Sequence, residues 1–160
     1  CQLKEVCTQE FKDYCKVVIE NCKHFGTKLI ENGFKLSTGG TDNHLQLIDL
    51  TPFKLTGSKM EIVCELVNIS LNKNCVATDK SALSPHGIRV GTSCMTTRGM
   101  DKDGWEKVAG WLFNCVEICL RRQEEYGRKL KDFRKDIDQD IEIKQLREEI
   151  TNYARTLDFY

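Results

Sequence analysis

Between residues 72 and 92 the chain concentrates the side chains best suited to chemistry. These are Asn72-Lys73-Asn74, a loop punctuated by Pro85 and Gly87, and the short run Gly87-Ile88-Arg89-Val90-Gly91. In that run the period-2 alternation puts Ile88 and Val90 on one strand face and Arg89 on the other. Glycines on both sides let backbone or ligand come close. A guanidinium held there is a fixed planar fork, suited to gripping a carboxylate or phosphate through two parallel hydrogen bonds. The same alternation would also result from an arginine on the solvated face of an edge strand, and spacing alone leaves both readings open.

The elements that must position these residues read as follows. Residues 2–32 have apolar side chains at helical spacing (Val6, Phe11, Tyr14, Val18, Cys22, Phe25, Leu29), with Gly33 where a helix would end. Residues 34–37 and 44–50 alternate as two strands about the turn Gly39-Gly40-Thr41-Asp42-Asn43, which predicts an antiparallel hairpin. Gly57-Ser58 can start a helix through 59–70, and strand 87–91 should join the hairpin as its third strand. Asp101 offers an N-cap for a helix over 103–123. The charged tail, 124–157, reads as helical with Ile143, Leu146, Ile150, Tyr153 and Leu157 as its buried face. The pattern predicts an α+β fold: a small, mostly antiparallel three-stranded sheet with helices packed on one face.

Composition narrows the possible roles. The 160 residues amount to one domain, 1–160, and 40% hydrophobic with 30% charged residues implies a soluble globular chain. With 24 basic and 24 acidic side chains the formal net charge is zero, so no overall field favours nucleic acid or membrane. No apolar run approaches the roughly 18 residues of a membrane span. Cys1 stands in first place and a helical pattern begins almost at once, so the expectation is a piece of a longer protein. The nine cysteines are odd in number and include no Cys-x-x-Cys, and the three histidines do not cluster with them. Core thiols in a reducing, intracellular compartment are expected, with no metal site and no disulfide framework.

Four separated stretches in order carry a family resemblance: Thr38-Gly39-Gly40-Thr41-Asp42-Asn43-His44-Leu45, Asn72-Lys73-Asn74, Gly87-Ile88-Arg89-Val90-Gly91-Thr92, and Thr97-Arg98-Gly99. Together they resemble the C-terminal small domain of serine hydroxymethyltransferase, a fold-type I enzyme. That family uses pyridoxal 5'-phosphate to move a one-carbon unit between serine and tetrahydrofolate, leaving glycine. The resemblance implies that Arg89 holds the carboxylate of the amino-acid substrate and that Asn74 contacts the folate ring, to which an amide offers paired donor and acceptor atoms. It places Ser81, Ala82 and Leu83 in the loop of the folate pocket. Asp42, Asn43 and His44 are read as structural, His44 as a hydrogen-bonded packing residue.

Two departures stand out. The family usually has a proline soon after the Asn-Lys-Asn triplet, where this chain has Val76-Ala77-Thr78-Asp79, and another where Ser93 stands. Proline stiffens a loop, so the rigidity of the folate loop is in question. The resemblance also implies that the Schiff-base lysine and the other cofactor-binding and catalytic residues belong to a large domain outside these 160 residues. The chain by itself is then expected to be inactive, and the full-length enzyme to be a homo-oligomer, dimer or tetramer, in the cytoplasm or mitochondrion. The alternative is a non-catalytic oligomerisation or regulatory module of the same fold, which would need neither Arg89 nor Asn74. A metal-binding domain is a third reading, disfavoured by the cysteine spacing.

Overall fold

The computed structural model describes residues 2–158. Its helices and strands run α1 (Gln2–Val6), α2 (Gln9–Glu31), β1 (Lys35–Leu36), β2 (Leu45–Asp49), α3 (Gly57–Leu66), β3 (Asn72–Asn74), β4 (Gly87–Gly91), α4 (Ser93–Thr97), α5 (Lys102–Tyr126), α6 (Leu130–Phe133) and α7 (Ile141–Ala154). The first helix expected over 2–32 is divided. Thr8 adopts an extended backbone, accepts from Phe11 N at 3.2 Å and donates to Glu5 O at 2.7 Å, so it caps α2 and closes α1. Gly33, at φ +85°, ends α2 as the sequence implies.

The sheet has four strands, not three, in the order β1-β2-β4-β3, with every neighbouring pair antiparallel. The fourth is the polar triplet Asn72-Lys73-Asn74, whose composition carries no strand signal. It is recruited by Lys73, which bridges to Glu61 of α3 at 2.9 Å, and by pairing with β4. Helices α2 and α3 cover one face of the sheet, with α5 packed against both. That inner face carries Leu36, Gln46, Ile48, Ile88 and Val90, all buried. Gln46 Nε2 donates to Cys22 O at 2.9 Å, and Thr92 Oγ1 donates to Val18 O at 3.0 Å. These two bonds fix the sheet on α2 while satisfying polar groups that burial would otherwise penalise.

Trp105 of α5 packs against Phe25 of α2 in the core, ring centroids 5.3 Å apart and planes tilted by 48°. Full burial of aromatic and aliphatic side chains such as these stabilises by about 1.5–3 kcal/mol each. Asp101 caps α5 as expected, accepting from Gly104 N at 2.8 Å.

The tail is not one helix. Gly127 at φ +106° stops α5, Asp136 sits in the left-handed region at φ +52°, and Asp140 restarts the chain by capping α7 through Glu142 N and Ile143 N. Ile143, Leu146 and Ile150 are buried as expected, with Tyr153 and Leu157 half-buried. Four of the cysteines are core thiols: Cys22, Cys64, Cys115 and Cys119. Cys7, Cys75 and Cys94 are exposed instead, and Cys15 is half-buried. Cys1 lies outside the described residues.

Candidate functional site

The sheet face turned away from the helices is built from strand positions of one parity. Register places Leu47 of β2, Arg89 of β4 and Asn72 of β3 side by side across three strands. Asn74 pairs with Gly87, two residues along from Arg89 and so on the same face. Arg89 is exposed and its side chain makes no hydrogen bond or ion pair with any of the described residues, while Ile88 and Val90 on either side of it are buried. The alternation expected for this strand is therefore present. Arg89 lines an open groove of about 400 Å³ with His44, Leu45, Ser70, Leu71, Asn72 and Gly91.

Two residues along β2 from Leu47, on the same face, Asp49 is buried and already satisfied. It receives Lys35 Nζ at 2.7 Å, Thr51 N at 2.9 Å and Thr51 Oγ1 at 2.7 Å. Burial pulls its carboxyl upward, but these bonds outweigh burial and hold it below the usual carboxylate range. An acidic group thus sits on the same face, already neutralised by its own lysine, and Arg89 is left available. A guanidinium with no internal partner and an open groove beside it can bind a carboxylate in both prongs of its fork.

Two glycines keep this face flat. A Cβ on Gly87 would meet Asn74 O and Val76 Cγ1, each at 2.6 Å. From the helix side, Gly57 lies so close to Gly87 O that a Cβ there would collide with it, and its own N–H donates to Pro85 O at 2.7 Å. The expectation that the glycines at the two ends of β4 permit close approach holds: at Gly91 a Cβ would meet Leu45 Cδ2 at 3.1 Å and His44 O at 3.3 Å.

Asn74 is half-buried, and its Nδ2 donates to Cys75 O at 3.0 Å, which leaves its amide oxygen for another partner. Ser81, Ala82 and Leu83 lie in the segment joining β3 to β4, all exposed, with Leu83 at 94%. Within it Ser81 Oγ accepts from Leu83 N at 3.2 Å. The loop's base is held by a residue whose role the sequence reading missed. Asp79 Oδ2 accepts from Val76 N at 2.9 Å and from His86 N at 3.0 Å, and its Oδ1 lies 2.6 Å from His86 Nδ1. The amides of His86 and Val76 hold the Asp79 carboxyl below its ordinary range. An Asp shortly before Ser-Ala-Leu-Ser-Pro is a turn-forming residue, and that was the available signal.

The turn before β2 is stiffened by its Asx residue, since Asn43 Oδ1 accepts from Leu45 N at 2.8 Å. His44 corrects the sequence reading. It is exposed, and among the described residues its side chain makes no hydrogen bond; only its carbonyl is engaged, accepting from Thr92 N at 3.0 Å. It lines the Arg89 groove instead of packing. Ser93 is the first residue of α4. Proline is tolerated at that position because the first amides of a helix have no partner within it, so serine there leaves the helix intact.

Comparison with known proteins gives a consistent result. The family profile described as Serine hydroxymethyltransferase matches residues 1–112. The chain is 41% identical over 159 residues to the serine hydroxymethyltransferase of Plasmodium falciparum, covering 99% of this chain and 36% of that protein. It is 42% identical over 161 residues to a mitochondrial serine hydroxymethyltransferase of Candida glabrata, covering 96% of this chain and 33% of the relative. It is 41% identical over 159 residues to a cytosolic one of Neurospora crassa, covering 96% of this chain and 33% of the relative. The chain therefore spans about a third of the length of these relatives.

Proposed function

This chain belongs to the serine hydroxymethyltransferase family, and on that premise we propose that residues 1–160 form the C-terminal small domain of an enzyme interconverting serine and glycine. The one-carbon unit passes to or from tetrahydrofolate, and pyridoxal 5'-phosphate is the cofactor. Arg89 takes the carboxylate of serine or glycine in its fork. Asn74, with Ser81, Ala82 and Leu83, forms part of the folate pocket on the same side of the sheet. The observation that carries this reading is Arg89 itself: a guanidinium on an inner strand of the sheet, on the open face, with no partner among the described residues. A module serving only assembly or regulation would have no use for such a group.

In this reading the seat for pyridoxal phosphate belongs to the large domain outside residues 1–160. The most buried lysine, Lys59 on α3, donates to Gln123 and lies 5.4 Å from the Phe133 ring, inside the core. The share of this chain is to bind and orient the amino acid and the folate. The full-length enzyme is a homo-oligomer and works in the cytosol or the mitochondrion; the relatives' names include cytosolic, mitochondrial and chloroplastic forms. Among the described residues no helix is long and apolar enough to cross a membrane.

The test is Arg89→Lys in the full-length enzyme. Lysine keeps the charge and loses the fork. Removing one partner of a shielded, hydrogen-bonded charge pair costs about 2–5 kcal/mol, which is roughly 30-fold to several-thousand-fold in affinity for serine and glycine. The melting temperature should hold, because Arg89 supports no contact within the empty domain. Affinity within about threefold of the unsubstituted enzyme, with a collapsed melting temperature, would make Arg89 structural and sink the proposal.

A further inference from the structure

The loop between β3 and β4 hangs from one carboxylate. Residues 80–84 are exposed, and what they bond is local: Leu83 N donates to Ser81 Oγ, and residues 82–83 form a turn. Everything that shapes them is therefore at the base. There Val76 is buried and its carbonyl accepts from Asp79 N at 3.0 Å, while its own N–H donates to Asp79 Oδ2. On the exit side His86 donates its backbone N–H to the same Oδ2 and brings Nδ1 to Oδ1. Beyond that point the chain is locked into the fold, with His86 O accepting from Leu50 N at 2.8 Å and Pro85 O from Gly57 N at 2.7 Å.

The Asp79 side chain is 4% exposed. It is the tie between the entry and the exit of the loop. Proline restricts one φ angle, whereas this carboxylate joins two strand ends through three hydrogen bonds.

We propose that Asp79 is a positioning residue for the folate-facing loop: by bonding Val76 N, His86 N and His86 Nδ1 together, it sets the conformation in which Ser81, Ala82 and Leu83 meet the folate. This rests on the reading of that loop as part of a folate pocket. Without the tie the residues between Val76 and Pro85 become a looser connection, and the entropy of ordering them falls on the binding step. The Arg89 groove lies on the strand beyond His86 and keeps its own support from β2, so amino-acid binding is expected to be indifferent to Asp79.

The experiment compares the full-length enzyme with Asp79→Ala and Asp79→Asn, measuring calorimetric affinities for tetrahydrofolate and, separately, for glycine. Asp79→Ala should weaken tetrahydrofolate at least about tenfold while leaving glycine within about twofold. Hydrogen exchange at the amides of Val76 and His86 should accelerate. Asp79→Asn is the conservative rescue: its amide oxygen still accepts from both backbone N–H groups, and its NH₂ can donate to an unprotonated His86 Nδ1. It should therefore hold tetrahydrofolate affinity within about threefold.

Unchanged tetrahydrofolate affinity in Asp79→Ala overturns the positioning role. So does a parallel loss of glycine and folate affinity that Asn does not rescue, since that pattern is general damage. If Asp79→Ala does not fold, His86→Ala carries the test by removing one arm of the tie. A loss of about threefold for tetrahydrofolate alone supports the role, and no loss overturns it. Failure of the unsubstituted enzyme to bind tetrahydrofolate would instead overturn the reading of the pocket, which separates the two claims.

Discussion

At the scale of single residues, Gly87 decides whether the site holds its geometry. It lies opposite Asn74 on β3 and opposite Asp49 on β2, and a methyl group there would meet Asn74 O at 2.6 Å and Ile48 O at 3.3 Å. Both obstacles are backbone, so neither can swing aside without moving a strand. Gly87→Ala is expected to destabilise by about 1–3 kcal/mol, the usual range for overpacking a filled interior. It should also displace β3, with Asn74, relative to Arg89. A lower urea midpoint at unchanged slope, together with weaker folate binding, is the expected result. An unchanged midpoint would mean that β3 adapts freely and that the tight approach has no consequence.

At the scale of elements, the junction between α5 and α7 depends on one buried ion pair. Asp140 Oδ2 receives Arg121 Nη2 and Arg122 Nη1, each at 2.7 Å, while its Oδ1 caps α7. Arg122 also donates to Phe133 O and Lys135 O and lies over the Tyr126 ring at 4.6 Å. The two side chains are 2% and 4% exposed. Asp140→Ala would strand a buried guanidinium, and breaking such a pair from one side costs about 3–5 kcal/mol. Burial pulls the Asp140 carboxyl up, but the bonds from Arg121 and Arg122 outweigh it and hold it below the ordinary range.

A depressed acid binds its proton less readily folded than unfolded. Its contribution is therefore complete above the ordinary carboxylate value and is lost as pH falls below about 4. The stability gap between the unsubstituted protein and Asp140→Ala should accordingly narrow on acidification, as read from urea midpoints against pH. A gap that stays constant down to about pH 2 would show that ionisation of Asp140 plays no part.

At the scale of the whole molecule, the thiols report the packing. Cys7, Cys75 and Cys94 are exposed and should react at once with a thiol reagent in the native state, with half-buried Cys15 slower. Cys22, Cys64, Cys115 and Cys119 should react only on unfolding. Burial pushes the thiols of Cys64 and Cys119 well up, so they are neutral as well as inaccessible. Denatured without reductant, the chain should titrate close to nine thiols; a total near one would mean four disulfides and exclude the reducing compartment. The 160 residues mixed with pyridoxal phosphate should show no serine–glycine exchange and no stoichiometric adduct at a single lysine. Either result, if positive, would place the reactive centre in this chain.

The sequence alone determined whatever depends on local periodicity and on chemically distinctive residues. Alternation put Arg89 opposite Ile88 and Val90, Gly33 ended α2, Asp101 began α5, and the hairpin of β1 and β2 followed from its glycine-rich turn. Each is a short-range effect, settled within a few residues of chain. Only the tertiary structure decided what long-range partners impose. Asn72-Lys73-Asn74 became a strand because β4 and Glu61 supply its bonds, against its own propensity. The tail broke at Gly127 and Asp136 because Arg122 gathers the carbonyls of Phe133 and Lys135 into the core. His44 turned outward because the turn is fixed by Asn43 and leaves the imidazole no partner. Asp79 acquired its role because folding brought the amides of Val76 and His86 to one carboxylate. Hydrogen bonds of that kind join points distant along the chain, and no local pattern records them.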